Sequence, residues 1–303
     1  MVNSTNMNTN VTIQVNRTAE ILRTAVSIAM FLFYAIFMYF MVIILNVFFT
    51  NPQVRETTRY IFFIHMLLND MVYLLTTIYI FLFTIYFVTM PVSICFIVMS
   101  FTTSAFCVTP YNLAVMSLER YAAICHPLRH VEIWTARRAT FIIACMWIAG
   151  MIPQLANFIV YSSSVDVKAF SLNVICHWKY LVAHQSQELI KMVNSILGFS
   201  LVGLIIVYTY IRVMLVARKM GANQFASKAA KTVLLHAFQL LLSMMSFNSY
   251  FTSNFQYMPT INFFLFMSIP RFLSPVIYGA RDEVFGKSMR RFCSTVRIHI
   301  VDK

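Results

Sequence analysis

The sequence predicts an all-α membrane protein. It should be a bundle of seven transmembrane helices, with the amino terminus outside and a short amphipathic helix after the last span. Three observations predict it. Only 11% of the 303 residues are charged, against 60% hydrophobic; a soluble domain carries nearer a quarter, because water must wet its surface. Seven apolar runs are each long enough for the roughly 20-residue crossing that a bilayer core demands. Lysine and arginine fall almost entirely in alternate gaps between those runs, the pattern of inner loops.

The elements follow in order. Residues 1–24 form a polar outer tail, with N-x-S/T acceptors at Asn3, Asn10 and Asn16 that mark a glycosylated segment. The first apolar run, 25–49, has no charge between Arg23 and Arg55. No cleavable leader precedes it, so this helix is expected to serve as its own insertion signal. Further runs cover 60–86, 93–120, 139–161, 190–216, 232–254 and 258–280, which makes 25–280 one membrane domain and 281–303 a cytoplasmic tail. No polar linker divides the chain.

An odd number of spans puts the termini on opposite sides. With the amino terminus outside, 17 of the 23 lysines and arginines lie on inner segments and five on outer ones, Lys191 among the latter; Arg271 remains. The net charge of +13 is therefore membrane topology. A nucleic-acid surface would gather its charge on one stripe among base-reading polar groups, and no such stripe is present. Of six cysteines, Cys95 and Cys176 lie on the oxidising side, Cys107 and Cys145 inside helices, and Cys125 and Cys293 toward the cytosol. Only the first pair can form a disulfide with this topology.

Enzyme and metal signatures are missing: the sequence has no phosphate-binding loop, H-E-x-x-H, G-x-S-x-G or paired-cysteine zinc motif. No cofactor is expected. His177 and His184 share an outer loop without a third ligand and read as surface histidines. Cys293, in "RRFC", is open to palmitoylation or to remaining a free thiol.

The inner end of the third run carries the most specific pattern. "SLERYAAICHPLRH" (117–130) resembles the odorant-receptor form of the Asp-Arg-Tyr box of rhodopsin-like G-protein-coupled receptors, with Glu119 in place of Asp beside Arg120 and Tyr121. Cys95 and Arg120 are 25 residues apart, about 37 Å of helix and one tilted crossing. The plain alternative for Arg120 is an interfacial arginine that snorkels. "KAAKTVLLH" (228–236) is similar to the odorant-receptor signature "KAFSTCxSH" at Lys228, Ala229, Thr232 and His236. "TYIRV", with Tyr210, and "SPVIYGARDEVF", with Tyr278, resemble "SYIRI" and "NPxIYSLRNKEV". "TPYNLAVMSLERY" and "IPRFLSPVIYG" look most like the fish branch. Three features depart from the pattern: Ser274 stands where most rhodopsin-like receptors have Asn, Met244 where odorant receptors carry Tyr, and the second outer loop has a single cysteine.

The resemblance implies a plasma-membrane receptor that binds an odorant in its outer half and activates a heterotrimeric G protein inside. Glu119, Arg120, Tyr121, Tyr210, His236 and Tyr278 would serve the inner switch. Thr102, Thr103 and Phe106 of the third helix, Asn194 and Gly198 of the fifth, and Phe264 and Ser268 of the seventh would line the cavity. Met244, Phe247, Asn248 and Phe251 share one face of the sixth at i, i+3, i+4, i+7 spacing. Ordinary helix packing is the alternative reading of that stripe. No carboxylate lies near Thr102, where amine receptors of the family carry Asp, so a neutral or weakly polar odorant is expected. A receptor for a lipid or peptide is the nearest alternative; a transporter or channel is another, but no internal repeat is visible.

Arg271 poses a separate question, since it is alone in a run apolar from about Met258 to Tyr278. An unpaired charge there is costly. The resemblance places Asp70 and Arg271 on helices that face each other in mid-membrane, where relatives hold a sodium ion on the acid. The expectation is an internal ion pair in the ion's place; the alternative is an arginine facing a hydrated cavity.

Overall fold

Five long helices carry the first five predicted spans. They are seen in a computed structural model that describes residues 2–219 together with Leu234, Phe238, Leu241, Ser268, Ile269 and Arg271. The remainder of the sixth and seventh spans lies outside the described residues, with His236, Met244, Phe247, Asn248, Phe251, Phe264, Ser274, Tyr278 and Cys293.

The spans are α1 (Val2–Thr50), α3 (Thr58–Ile85), α4 (Val92–Cys125), α6 (Ala136–Ser164) and α7 (Gln185–Lys219), with short α2 (Pro52–Glu56) and α5 (Pro127–Ile133) in the inner turns. Each is longer than its apolar run. Helix growth adds a hydrogen bond per residue once a nucleus exists, so a helix can run on past its apolar residues, and α4 and α6 continue even through Pro110 and Pro153. No Gly or Pro precedes Pro52, and α1 continues through the predicted polar tail; its apolar stretch is Glu20–Thr50. Likewise α4 passes Arg120 by five residues and ends before Pro127, which opens α5 at a position where its missing N–H costs nothing. Thr135 caps α6 by accepting from the Arg138 amide at 3.4 Å.

The helices meet around α4, which packs on α3, α6 and α7. Phe62, Met66 and Leu67 of α3, Leu113 and Met116 of α4, and Val202 and Ile206 of α7 form the centre of one apolar core, joined by Phe37 and Ile44 of α1. Gly150 lets α6 approach α4 closely. A Cβ there would stand 3.2 Å from both the Ser104 carbonyl and Val108 Cγ2, the use of small residues expected at membrane helix contacts. Outward faces remain apolar and exposed, as at Phe31, Val42, Phe141, Ile148, Leu197 and Leu204. Lipid, not protein, is the solvent for such faces.

At the outer end, β1 (Thr89–Pro91) and β2 (Asn173–Ile175) pair antiparallel, Thr89 opposite Ile175 and Pro91 opposite Asn173. The Cys95–Cys176 disulfide lies directly behind this ladder, with both cysteines fully buried. It sits in a second core with Met90, Phe96, Tyr161 and Leu181. The second outer loop is thereby fastened to the top of α4.

Candidate functional site

Three polar regions are stacked along α4. The outermost contains the predicted cavity positions. Thr102 is buried and Thr103 half-buried, and each hydroxyl donates to its own helix, to the Val98 and Met99 carbonyls at 2.7 and 2.8 Å. Both oxygens keep lone pairs for a further donor. Phe106 packs between Tyr73 of α3 and Phe199 of α7, with ring centroids 5.9 and 6.3 Å away. Gly198 faces Tyr111 of α4, whose hydroxyl would lie 3.4 Å from an added Cβ. Asn194 is half-buried one turn above it, and Ser268 is buried.

Lys191, one of the cations assigned to the outer side, lies in the second turn of α7, which begins at Gln185. It falls on the stripe Gln187, Lys191, Asn194, Gly198, Val202, the face buried against the bundle. Gln187 explains the early start. Its side-chain oxygen accepts from the Ala183 and His184 amides at 2.7 and 3.1 Å, while its amide donates to the Asn157 and Leu181 carbonyls.

The middle region is charged. Arg271 donates to Asp70 Oδ1 at 2.6 Å and to Thr109 Oγ1 at 2.9 Å; its side chain is 5% exposed and that of Asp70 0%. The guanidinium lies over the Tyr73 ring, 3.6 Å from its centroid, and 5.6 Å from that of Phe106. Asn69 completes the group by donating to Thr109 Oγ1 and the Ala105 carbonyl at 3.0 and 2.9 Å. Spans two, three and seven are thus tied by one buried network, and the charge of Arg271 is compensated in place. The compensation is one-sided: Asp70 Oδ1 carries the contacts, while Asp70 Oδ2 and Asn69 Oδ1 are buried without a hydrogen-bond partner among the described residues.

A second buried group, which sequence reasoning missed, joins α3, α4 and α6. Trp147 Nε1 donates to His65 Nε2 at 3.0 Å, and Asn112 contacts His65 Nδ1 at 3.3 Å while donating to the Phe62 carbonyl. A histidine inside an apolar run was the available signal.

The innermost region holds the motif residues. Glu119 is buried, accepts from His130 of α5 at 3.1 Å, and lies 3.7 Å from Arg120 Nε. Tyr121 donates or accepts with His126 Nε2 at 3.2 Å. The α7 ring brought to Tyr121 is Tyr208, 5.9 Å away, and both Tyr208 and Tyr210 are exposed. Among the described residues no cluster of metal-ligating side chains occurs.

A helical bundle with an inner Glu-Arg-Tyr end, an outer loop clipped to the third span, and an apolar outer region between them defines a membrane receptor. Residues 42–278 match the 7 transmembrane receptor domain of the rhodopsin family, and the chain belongs to that family. It is a multi-pass protein of the plasma membrane, of a family of receptors rather than enzymes.

Among curated relatives, it is similar to Odorant receptor 131-2 of Danio rerio, 31% identical over 61% of this chain and 60% of the relative. It is also similar to Olfactory receptor 52A1 of Homo sapiens (24% identical, over 60% and 63%) and Olfactory receptor 1073 of Rattus norvegicus (25%, over 60% and 62%). The aligned region spans about 60% of the length of these relatives.

Proposed function

We propose that this receptor binds a small odorant in the outer half of its bundle and passes the signal to a heterotrimeric G protein at the inner face. The amino terminus is outside and the Asn3–Asn16 segment is its glycosylated tail. The observation that carries the reading is the position of Phe106. This ring belongs to the predicted cavity, yet it also packs on Phe199 of α7 and approaches Arg271. A ligand that moves Phe106 therefore acts on the network joining spans two, three and seven. The similarity to odorant and olfactory receptors supports a volatile or small water-borne ligand. The lack of a carboxylate near Thr102 disfavours amines.

In this reading Thr102, Thr103, Phe106, Asn194, Gly198 and Ser268, with Met244, Phe247, Asn248, Phe251 and Phe264, surround the ligand. Glu119, Arg120 and Tyr121, with Tyr210, His236 and Tyr278, transmit to the G protein. A coupling of about 1–3 kcal/mol between the two ends is sufficient. Asp70 and Arg271 take the place of a bound sodium ion, so signalling is independent of sodium. The test is a screen of odorant mixtures on cells that carry the receptor at their surface, read by second messenger. Responses from Arg120→Ala, normalised to surface level, should be absent; wild-type silence across the screen would refute the odorant reading.

A further inference from the structure

The Lys191 ammonium is half-buried at the bundle face of α7, with no ion pair to a carboxylate among the described residues. It lies over the indole of Trp178, in the short 3-10 helix Trp178–Leu181 of the outer loop. A ring face compensates a cation only in part, and it leaves the three N–H donors to find acceptors elsewhere. Glu188, three residues earlier, is within electrostatic range but exposed on another face of α7. An ionisable side chain facing the interior of a membrane bundle marks a pathway or ligand site by default.

A second observation is independent of the lysine. Trp178 Nε1 is buried and has no hydrogen-bond partner among the described residues. Such a donor costs free energy unless it meets an acceptor. Its place is not loose. Cys176, two residues away, is bonded to Cys95 of α4, and Leu181, at the other end of the turn, is buried. Two donors of different elements are therefore held together at the mouth of the outer region. Lys191 shares its α7 face with Asn194 and Gly198, and the next residue, Phe199, packs on Phe106. The other inward cation, Arg271, already has Asp70. Among the described residues, the inward charge left for a ligand is that of Lys191.

The geometry points to a carboxylate-bearing odorant, its anionic head held by the Lys191 ammonium and the Trp178 indole N–H and its apolar body directed toward Phe106. This rests on the odorant reading above and sharpens its ligand from weakly polar to acidic. Charge-assisted hydrogen bonds are the strong ones, so the head group dominates selectivity.

The experiment compares hexanoic, octanoic and benzoic acids with the matching alcohols, aldehydes and amines at neutral pH. Wild type, Lys191→Gln, Lys191→Arg and Trp178→Phe are assayed for second messenger per surface receptor. An acid should activate wild type at about tenfold lower concentration than its alcohol. Lys191→Gln should weaken the acid by about tenfold to a hundredfold while leaving the alcohol unchanged. Lys191→Arg should retain the acid response, and Trp178→Phe should lower it by a smaller factor. Should Lys191→Gln fail to reach the surface, the wild-type preference for acid over alcohol decides alone. Activation by alcohols or aldehydes without preference for acids, or equal acid potency in Lys191→Gln, overturns the carboxylate site and leaves the odorant reading standing. Silence toward this panel and toward broader odorant mixtures overturns both.

Discussion

The Asp70–Arg271 pair and the Glu119–Arg120–His130 cluster use the same chemistry in different solvents. In the first, acid and base come from spans two and seven, are 5% exposed or less, and share Thr109 as a common neighbour. In the second, all three residues lie within twelve positions of the chain, and Arg120 and His130 are each 22% exposed. The comparison separates a buried joint from the cluster proposed above as the switch. A buried pair strands a charge when broken, so it resists opening. In the inner cluster only Glu119 is buried, and Arg120 and His130 already meet water, so their contacts can be exchanged for water at less cost, as the inner opening proposed above requires.

Breaking the buried pair is the most severe test of that contrast. Arg271→Ala and Asp70→Asn should each destabilise by about 3–5 kcal/mol and strongly reduce surface expression. The charge-swapped double variant should recover part of the loss. A double-mutant cycle with purely additive effects would remove the pair from the account, as would an agonist response that follows sodium concentration.

The disulfide is the outer counterpart, covalent rather than ionic. Cys176→Ser should cost about 2–5 kcal/mol and abolish surface display, because the loop that carries Trp178 would no longer be held to α4. Peptide mapping of mature wild-type protein should find Cys95 and Cys176 joined; free thiols at both would contradict it.

An uncharged buried contact should fall between the extremes. Trp147→Phe keeps the ring and removes the donor to His65, with an expected cost of about 1–3 kcal/mol. Thermal stability in detergent is the measurement, and it should fall without a change in agonist potency. A drop in potency at unchanged stability would move His65 and Trp147 from packing to signalling.

The smallest stability effect belongs to the switch. Arg120→Ala should change stability by only about 0.2–1 kcal/mol, because Arg120 is partly exposed and its contact with Glu119 is long at 3.7 Å, and should reach the surface near wild-type levels. Signalling per surface receptor should nevertheless be lost. Retained signalling would reduce Arg120 to an interfacial anchor and erase the distinction drawn here.

Much of this architecture was legible in the residues. The existence of the spans follows from apolar runs set against the cost of bare backbone in lipid. The Cys95–Cys176 bridge follows from topology, which left two cysteines on one side. Arg271 drew attention because an isolated charge in an apolar run demands compensation, and the family resemblance named Asp70. Element ends were less legible: α1 and α4 continue past their apolar runs to the residues before Pro52 and Pro127, and α7 starts five residues before its run, at Gln185.

What only the tertiary structure decided is rotation and return. Each helix turns by a fixed angle per residue, but its absolute rotation in the bundle is set by packing with its neighbours. Hence Tyr208 rather than Tyr210 meets Tyr121, and His65 reaches Trp147 across helices 82 residues apart in sequence. The placement of Thr109 and Tyr73 around Arg271 has the same origin. The fold of the outer loop, pinned by its disulfide, decided that Trp178 lies beneath Lys191. Apolar pattern is a property of one segment and can be read along it; a polar contact between segments exists only once both have been packed.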